Sequence, residues 1–400
     1  MREEIDRVAM ARLSLGHLAV DFMSGAVPTL LPFFATKFDL SYTKTAVLML
    51  AVLVSSSLVQ PLFGLWSDRR GAIWLLPVGV AVAGVGIASS SVAPSYGLVA
   101  LLVFVAGIGI AAYHPEGAKF AAFASGRRRA SGMSYFNIGG NAGYALAPIV
   151  LTPLVLWLGL VGGLIATIPV FVVAAMLLRA LPALTRLAPA PRARGTRAGE
   201  DDVRAMGILS VTIVLRGVAW FTLLTFVPLW VVAEGGTKGE GGRVLALMLV
   251  AGAIGTLVLG PVADRIGLRL TLLVTQAAIP FLIVTFVAVG GVAGTIALMF
   301  VGLCTVGTFG VTMVLSQFYL PRHVGMASGL TVGLAMGIGG VAAVALGAVA
   351  DAVDLQTALY AAAVAPAFGC LACFFLPRPR PSVWSPAAGP ASRPASPGIV

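Results

Sequence analysis

The sequence predicts an all-α membrane protein of twelve transmembrane helices, arranged as two six-helix bundles with a central cavity between them. Three observations lead there. Of 400 residues, 59% are hydrophobic and only 10% charged, where a soluble domain carries about 25% charged residues. Apolar runs long enough to cross a bilayer, about 20 residues each, recur along the whole chain. Strand-like alternation is absent, which argues against a β-barrel. The third observation is a motif that appears once in each half.

The spans read from hydropathy are 13 to 34, 45 to 66, 73 to 92, 97 to 116, 131 to 153 and 160 to 180. A second set follows at 206 to 232, 243 to 263, 270 to 289, 294 to 319, 326 to 350 and 355 to 376. The opening MREEIDRVAM is mixed in charge and no small-residue cleavage site follows the first run, so no signal peptide is expected. With a cytoplasmic N-terminus, 21 of the 26 Lys and Arg fall on the inner side. Four fall outside (Lys37, Lys44, Lys238, Arg243), and Arg216 lies within a span. That asymmetry predicts both termini in the cytoplasm of a bacterial inner membrane. The net charge of +11 is then a product of topology, and no nucleic-acid partner is called for. Lipid, protons and a small-molecule substrate are the expected partners, and twelve helices can enclose a pathway in a monomer.

The predicted organisation is an N-terminal bundle over 1–181, a cytoplasmic linker over 182–205, a C-terminal bundle over 206–376 and a disordered cytoplasmic tail over 377–400. The linker and tail turn abruptly to Pro, Arg and small residues, the composition of solvated chain. Cys304, Cys370 and Cys373 sit in apolar runs and read as small helix residues. Without a metal-ligand cluster, P-loop or Ser-His-Asp set in the sequence, no cofactor, no metal and no enzymatic activity is expected.

GLWSDRRG at 64–71 recurs as GPVADRIG at 260–267: Gly64, Asp68, Arg69 and Gly71 reappear 196 positions later as Gly260, Asp264, Arg265 and Gly267. In both copies the motif ends an even-numbered span. Glycine permits close helix contact and a sharp turn, and an Asp-Arg pair at the membrane surface can make bonds in one conformation that break in another. Two copies in register indicate a duplicated unit, as in transporters whose halves rock about a central site.

Ionisable groups inside spans are costly and mark pathways. Asp21 lies about nine residues into the first span, near ~13 Å in depth, and His17 is one turn away on the same face. The pair reads as a proton site. In the fourth span His114 and Glu116 flank Pro115, which is expected to kink or end the helix. Glu116 has two readings, an ion pair with Lys119 or a proton relay. Asn137 and Asn141 are one turn apart in the fifth span and offer amides to a polar ligand, while the equivalent positions 197 residues later hold Leu334 and Ile338. Arg216 stands near mid-depth in the seventh span and requires an anion, either Asp21 or the substrate. Tyr113 and Phe136 are among the aromatics available to line a cavity.

The paired G-x-x-x-D-R-x-G motifs in a twelve-span chain with a basic central linker resemble the major facilitator superfamily. His17-x-x-x-Asp21, YHPEGAKFA from Tyr113 and FNIGGNAGYALAP from Phe136 further resemble its fosmidomycin-resistance efflux subfamily. The resemblance implies proton-coupled antiport of small organic compounds by alternating access, with phosphonate antibiotics as candidate cargo. It also favours functional roles for His114 and Glu116. The first loop motif departs from the superfamily pattern after Gly71, where Ala72, Ile73 and Trp74 stand in place of further basic residues. Proton-coupled symport of a metabolite uses the same residues and is the alternative; a non-transporting membrane sensor is the reading from another class.

Overall fold

Fourteen α-helices make up the computed structural model, which describes residues 4–126, 128–187 and 200–377. They are α1 Arg7–Phe38, α2 Tyr42–Arg70, α3 Leu75–Val92, α4 Tyr96–Ala124, α5 Arg129–Leu158, α6 Gly162–Ala166 and α7 Ile168–Thr185. The second group is α8 Val203–Ala233, α9 Lys238–Ile266, α10 Leu268–Val289, α11 Gly291–Gly307, α12 Phe309–Tyr319, α13 Val324–Ala352 and α14 Leu355–Phe374. Most of the 182–205 linker and nearly all of the tail lie outside the described residues; α7 and α8 extend helically into the two ends of the linker.

Eleven runs are long and apolar enough to cross a membrane. One of them, Ser131–Thr185, has 55 residues, more than twice the length of a single crossing. It reverses at Gly159, whose φ of 65° is a backbone conformation that glycine adopts without strain. A short 3₁₀ turn at 159–161 and α6 then lead into α7, which packs back against α1 and α3. The chain therefore makes twelve crossings, as the hydropathy reading predicts. Large apolar side chains such as Trp157, Phe281, Val292 and Phe375 remain exposed, the surface expected of helices in contact with lipid.

Many helices outrun their predicted spans, because hydrogen bonding within a helix continues where the chain leaves the apolar zone. Side chains cap several starts: Asp6 accepts from the Ala9 amide, Asp202 from Ala205 and Asp354 from Thr357, while Thr237 and Glu240 form a reciprocal capping box. Two further differences matter for function. Helix α4 runs through Pro115 to Ala124, so of the two expectations at Pro115, a kink or an end, the end does not occur and Glu116 sits inside a continuous helix. The tenth span, expected as one helix, breaks at Thr308 into α11 and α12.

Helices α1 to α7 pack among themselves, as do α8 to α14, and the two groups meet mainly along α2 with α13 and α5 with α9. For orientation, the side where α1 begins is termed the terminal side and the other the far side. On the far side Asp351 of α13 accepts from the amides of Tyr42 and Thr43, at 2.7 and 3.0 Å, and from the Thr43 hydroxyl at 2.6 Å. Lys238 at the start of α9 holds its Nζ 5.3 Å from the ring centre of Phe33 on α1. Toward the terminal side Gly260, Gly329 and Gly333 face open space. The polar contacts of Asp351 with the start of α2 clasp the two groups on the far side.

Candidate functional site

Near the midpoint of α1, His17 and Asp21 project toward α4 and α5. The i,i+4 spacing places His17 Nε2 3.3 Å from Asp21 Oδ2. From α4, His114 brings its Nε2 to 3.2 Å from Asp21 Oδ1. One carboxylate is thus gripped by two imidazoles. His114, a candidate substrate-binding residue from the sequence, is part of this ionic cluster. Its partner across the cluster could not be read from sequence spacing, since 93 residues separate it from Asp21.

Each ring is held from behind. His17 Nδ1 donates to the Phe136 carbonyl at 2.9 Å, and His114 Nδ1 donates to the Ile110 carbonyl one turn earlier, at 2.8 Å. The Phe136 ring stacks on His17 with centres 4.1 Å apart and planes 23° from parallel. The two imidazoles meet edge to face at 5.2 Å and 87°. Phe136 and Tyr113 are both buried, and the Tyr113 hydroxyl donates to the Leu13 carbonyl at 2.5 Å. They were expected to line a cavity; their burial makes them supports of the His17 ring and of the α1–α4 contact.

Gly140 on α5 is the least obvious component. A Cβ at that position would stand 2.5 Å from His17 Nε2 and 2.6 Å from Asp21 Oδ2. The absence of a side chain gives the cluster its room, so this glycine serves more than helix packing. In the sequence Gly140 is one of several glycines in the Phe136–Pro148 stretch, and nothing local distinguishes it from its neighbours.

Glu116 is buried and does not reach Asp21. Its carboxylate pairs with Lys119 at 3.0 Å, and the Ser67 hydroxyl bonds to both. Ser67 belongs to the first loop motif, immediately before Asp68, so Glu116 ties α4 to the motif-bearing end of α2. The ion-pair reading describes its contacts. The side chains of Asp68 and Arg69 lie outside the described ones; Gly71 and Gly267 cap their helices with φ of 64° and 96°, and Asp264 and Arg265 are exposed.

Arg216, near the midpoint of α8, is buried, and its expected pairing with Asp21 does not occur. Its Nη1 donates to Thr308 Oγ1 at 2.6 Å and its Nη2 approaches Thr312 Oγ1 at 3.5 Å. Among the described residues no carboxylate forms an ion pair with it. The break at Thr308 places the C-terminal end of α11, with its partial negative charge, beside the guanidinium. Asn141 bridges the two groups of helices through a 3.3 Å bond from its Nδ2 to Thr256 Oγ1 on α9, while Asn137 is exposed.

His17, Asp21 and His114 offer three ligand-type atoms within 4.8 Å of one another. No metal was expected from the sequence.

Two groups of helices around a polar centre, clasped at one side, define a multi-pass membrane transporter. The chain belongs to the Major Facilitator Superfamily, whose family model matches residues 13–344 and 209–399. An uncharacterized MFS-type transporter of Bacillus subtilis (strain 168), YfnC, is 31% identical over 381 residues, 91% of each chain. The fosmidomycin resistance protein of Escherichia coli (strain K12) is 28% identical over 380 residues, covering 91% of this chain and 92% of that protein. Among solved structures, a bacterial homologue of the human lysosomal transporter Spinster, inward-facing and occupied, superposes with a TM-score of 0.78 at 16% identity. It covers 97% of this chain and all of that one. The nucleoside transporter NupG gives 0.73 at 12% identity, covering 92% and 99%. These likenesses at low identity establish the fold.

Proposed function

We propose that this transporter exports small organic compounds, anionic phosphonates among them, in exchange for protons. The observation that carries the proposal is the His17–Asp21–His114 cluster. It places a carboxylate and two imidazoles at mid-helix in a chain whose spans are otherwise nearly free of charge, and such groups in a membrane interior are expensive unless they work. The similarity to a fosmidomycin resistance protein points toward the same cargo.

Arg216 is the anion-binding group in this reading. A buried guanidinium whose bonds go only to hydroxyls keeps its full charge, and a phosphonate or carboxylate offers the bidentate acceptor it lacks. Since Arg216 and Asp21 do not touch, substrate and proton do not displace one another at a shared bond. Their exclusion is carried by the conformational change, with each conformation favouring one ligand. Asn137 and Asn141 add polar contacts along α5. The paired loop motifs and the Glu116–Ser67–Lys119 set hold one conformation and release it in the other.

With the termini in the cytoplasm of a bacterial inner membrane, as the basic residues favour, the far-side clasp makes this an inward-facing state of a monomer. Symport is the second reading, and the separation of Arg216 from Asp21 favours it, because an anion and protons can then bind together. Proteoliposomes carrying an imposed pH gradient decide the matter. Labelled fosmidomycin should move opposite to the proton gradient with wild type and fail to respond to it with Asp21→Asn. Movement along the proton gradient would replace antiport with symport. Gradient-driven transport that survives in Asp21→Asn would refute the role of the cluster.

A further inference from the structure

The surroundings of the His17–Asp21–His114 cluster determine where its hydrogens lie. Both Nδ1 atoms face backbone carbonyls, at 2.9 and 2.8 Å. A carbonyl can only accept, so each Nδ1 carries a hydrogen. A neutral imidazole has a single N–H, and here the backbone uses it. In a neutral ring the remaining Nε2 is therefore a bare lone pair. Each Nε2 faces a different oxygen of Asp21, at 3.3 and 3.2 Å, and an ionised carboxylate also only accepts. Two acceptors set against each other are unfavourable in a site where His17 is buried and Asp21 and His114 are largely shielded from water. One proton in each contact converts both into charge-assisted hydrogen bonds.

We propose that the cluster is a two-proton binding site, captured here in its doubly loaded arrangement, with one proton in each contact between an imidazole Nε2 and Asp21. This rests on the proton-coupling role given to the cluster above, and it assigns the protons to His17 and His114 rather than to Asp21 alone. The formal charge of the cluster runs from −1 when empty to +1 when loaded. Loading thus inverts the sign of the field at the centre of the N-terminal group of helices.

Among the described residues the neighbouring elements supply no competing partner for these contacts. On α4, Tyr113 gives its hydroxyl hydrogen to Leu13, and Glu116 is engaged by Ser67 and Lys119. On α5, Tyr144 is the titratable group nearest Asp21, and Gly140 presents only backbone. On α8, Arg216 is turned to Thr308 and Thr312. Ring packing fixes the imidazole planes, so neither ring can turn its Nδ1–H toward Asp21 without losing a carbonyl partner and, for His17, the Phe136 stack.

The chain has only three histidines, His17, His114 and His323, so nitrogen NMR of the full chain labelled with ¹⁵N-histidine reads the site directly. The protein is held in lipid nanodiscs with a chelator present, and spectra of His323→Gln and His114→Gln assign the signals. The expected result is a pH range in which both rings of the cluster carry hydrogen on both nitrogens, giving way at higher pH to rings protonated at Nδ1 only. In Asp21→Asn the doubly protonated pair should vanish from that range. A spectrum in which only one ring of the cluster is ever doubly protonated, down to the pH at which the fold is lost, overturns the proposal. So does a neutral ring protonated at Nε2. The measurement needs no transport, so a one-proton spectrum alongside intact gradient-driven exchange removes the two-proton site and leaves the coupling reading in place.

Discussion

The centres of the two helix groups occupy equivalent places in the repeat yet hold opposite chemistry. In the first, α1 carries His17 and Asp21, joined by His114, around a carboxylate. In the second, α8 carries Arg216 among threonines, with no acid beside it among the described residues. The supporting helices diverge in the same way. Gly140 of α5 lies against the ionic cluster, whereas Gly337, 197 positions later on α13, faces open space. Duplication preserved the helical frame, and the polar interior was written separately into each half. On the proposed function, a site for protons and a site for an anion can then be tuned independently and coupled through the rigid-body motion of the two groups.

The strongest way to break this comparison is to add one methyl group to each half. Gly140→Ala puts a Cβ at 2.5 Å from His17 Nε2, and displacement of the cluster should lower gradient-driven transport by roughly 100-fold. Gly337→Ala meets nothing within 4 Å; it should transport normally and be more thermostable by up to about 1 kcal/mol. Equal damage by both would show that the glycines serve packing alone.

Arg216→Gln sharpens the second half of the contrast. Loss of a charged hydrogen-bond donor should weaken binding of an anionic substrate by roughly 10- to 100-fold. Because an unpaired buried charge is being removed, thermal stability should hold or rise. Binding of a labelled phosphonate by scintillation proximity, beside a melting curve, checks both. Unchanged affinity would place the anion elsewhere.

Asp351→Asn tests the clasp between the groups. Asp351 binds two amides and a hydroxyl at the start of α2, and weakening those bonds should favour the opposite conformation by about fivefold. Spin-label distances between the far-side ends of α2 and α13 would report the shift as a growing population of longer separations.

The smallest effect is expected where the linker rejoins the bundle. Asp201 accepts from the Arg322 amide at 3.0 Å and from His323 Nδ1 at 2.5 Å. Partial loss of hydration pushes its pKa up, but these bonds outweigh it and the net shift is downward. A carboxylate with a lowered folded pKa contributes stability above its unfolded value of about 3.9, and loses it as pH falls through the folded value. Hydrogen exchange at the Arg322 amide should therefore show steady protection from neutral pH down to about 4 and declining protection below. Protection that weakens as pH rises would contradict this sign.

Several elements were legible because they follow from local chemistry. Apolar runs gave the crossings, and the His17/Asp21 pair could be read because four residues make one helical turn. Mid-depth placed Arg216 correctly, but not its partners. The contact of His114 with Asp21 was not legible, since 93 residues separate the two, nor was the choice at Pro115 between a kink and an end, where α4 continues. The membrane zone penalises unsatisfied backbone groups so strongly that a helix keeps its course past a proline.

The sequence by itself determined a membrane transporter with a duplicated six-helix frame and the identity of the charged groups allowed inside it. Burial in lipid imposes length, periodicity and charge exclusion on every span, and these leave their mark residue by residue. Only the tertiary structure decided which of those groups meet. Asp21 faces two imidazoles and not Arg216, Glu116 is held by Ser67 and Lys119, and Asp351 closes the far side against α2. Such contacts depend on the rotation and depth of packed helices, where about 100° of rotation per residue changes the neighbour and one-dimensional spacing says nothing of the partner.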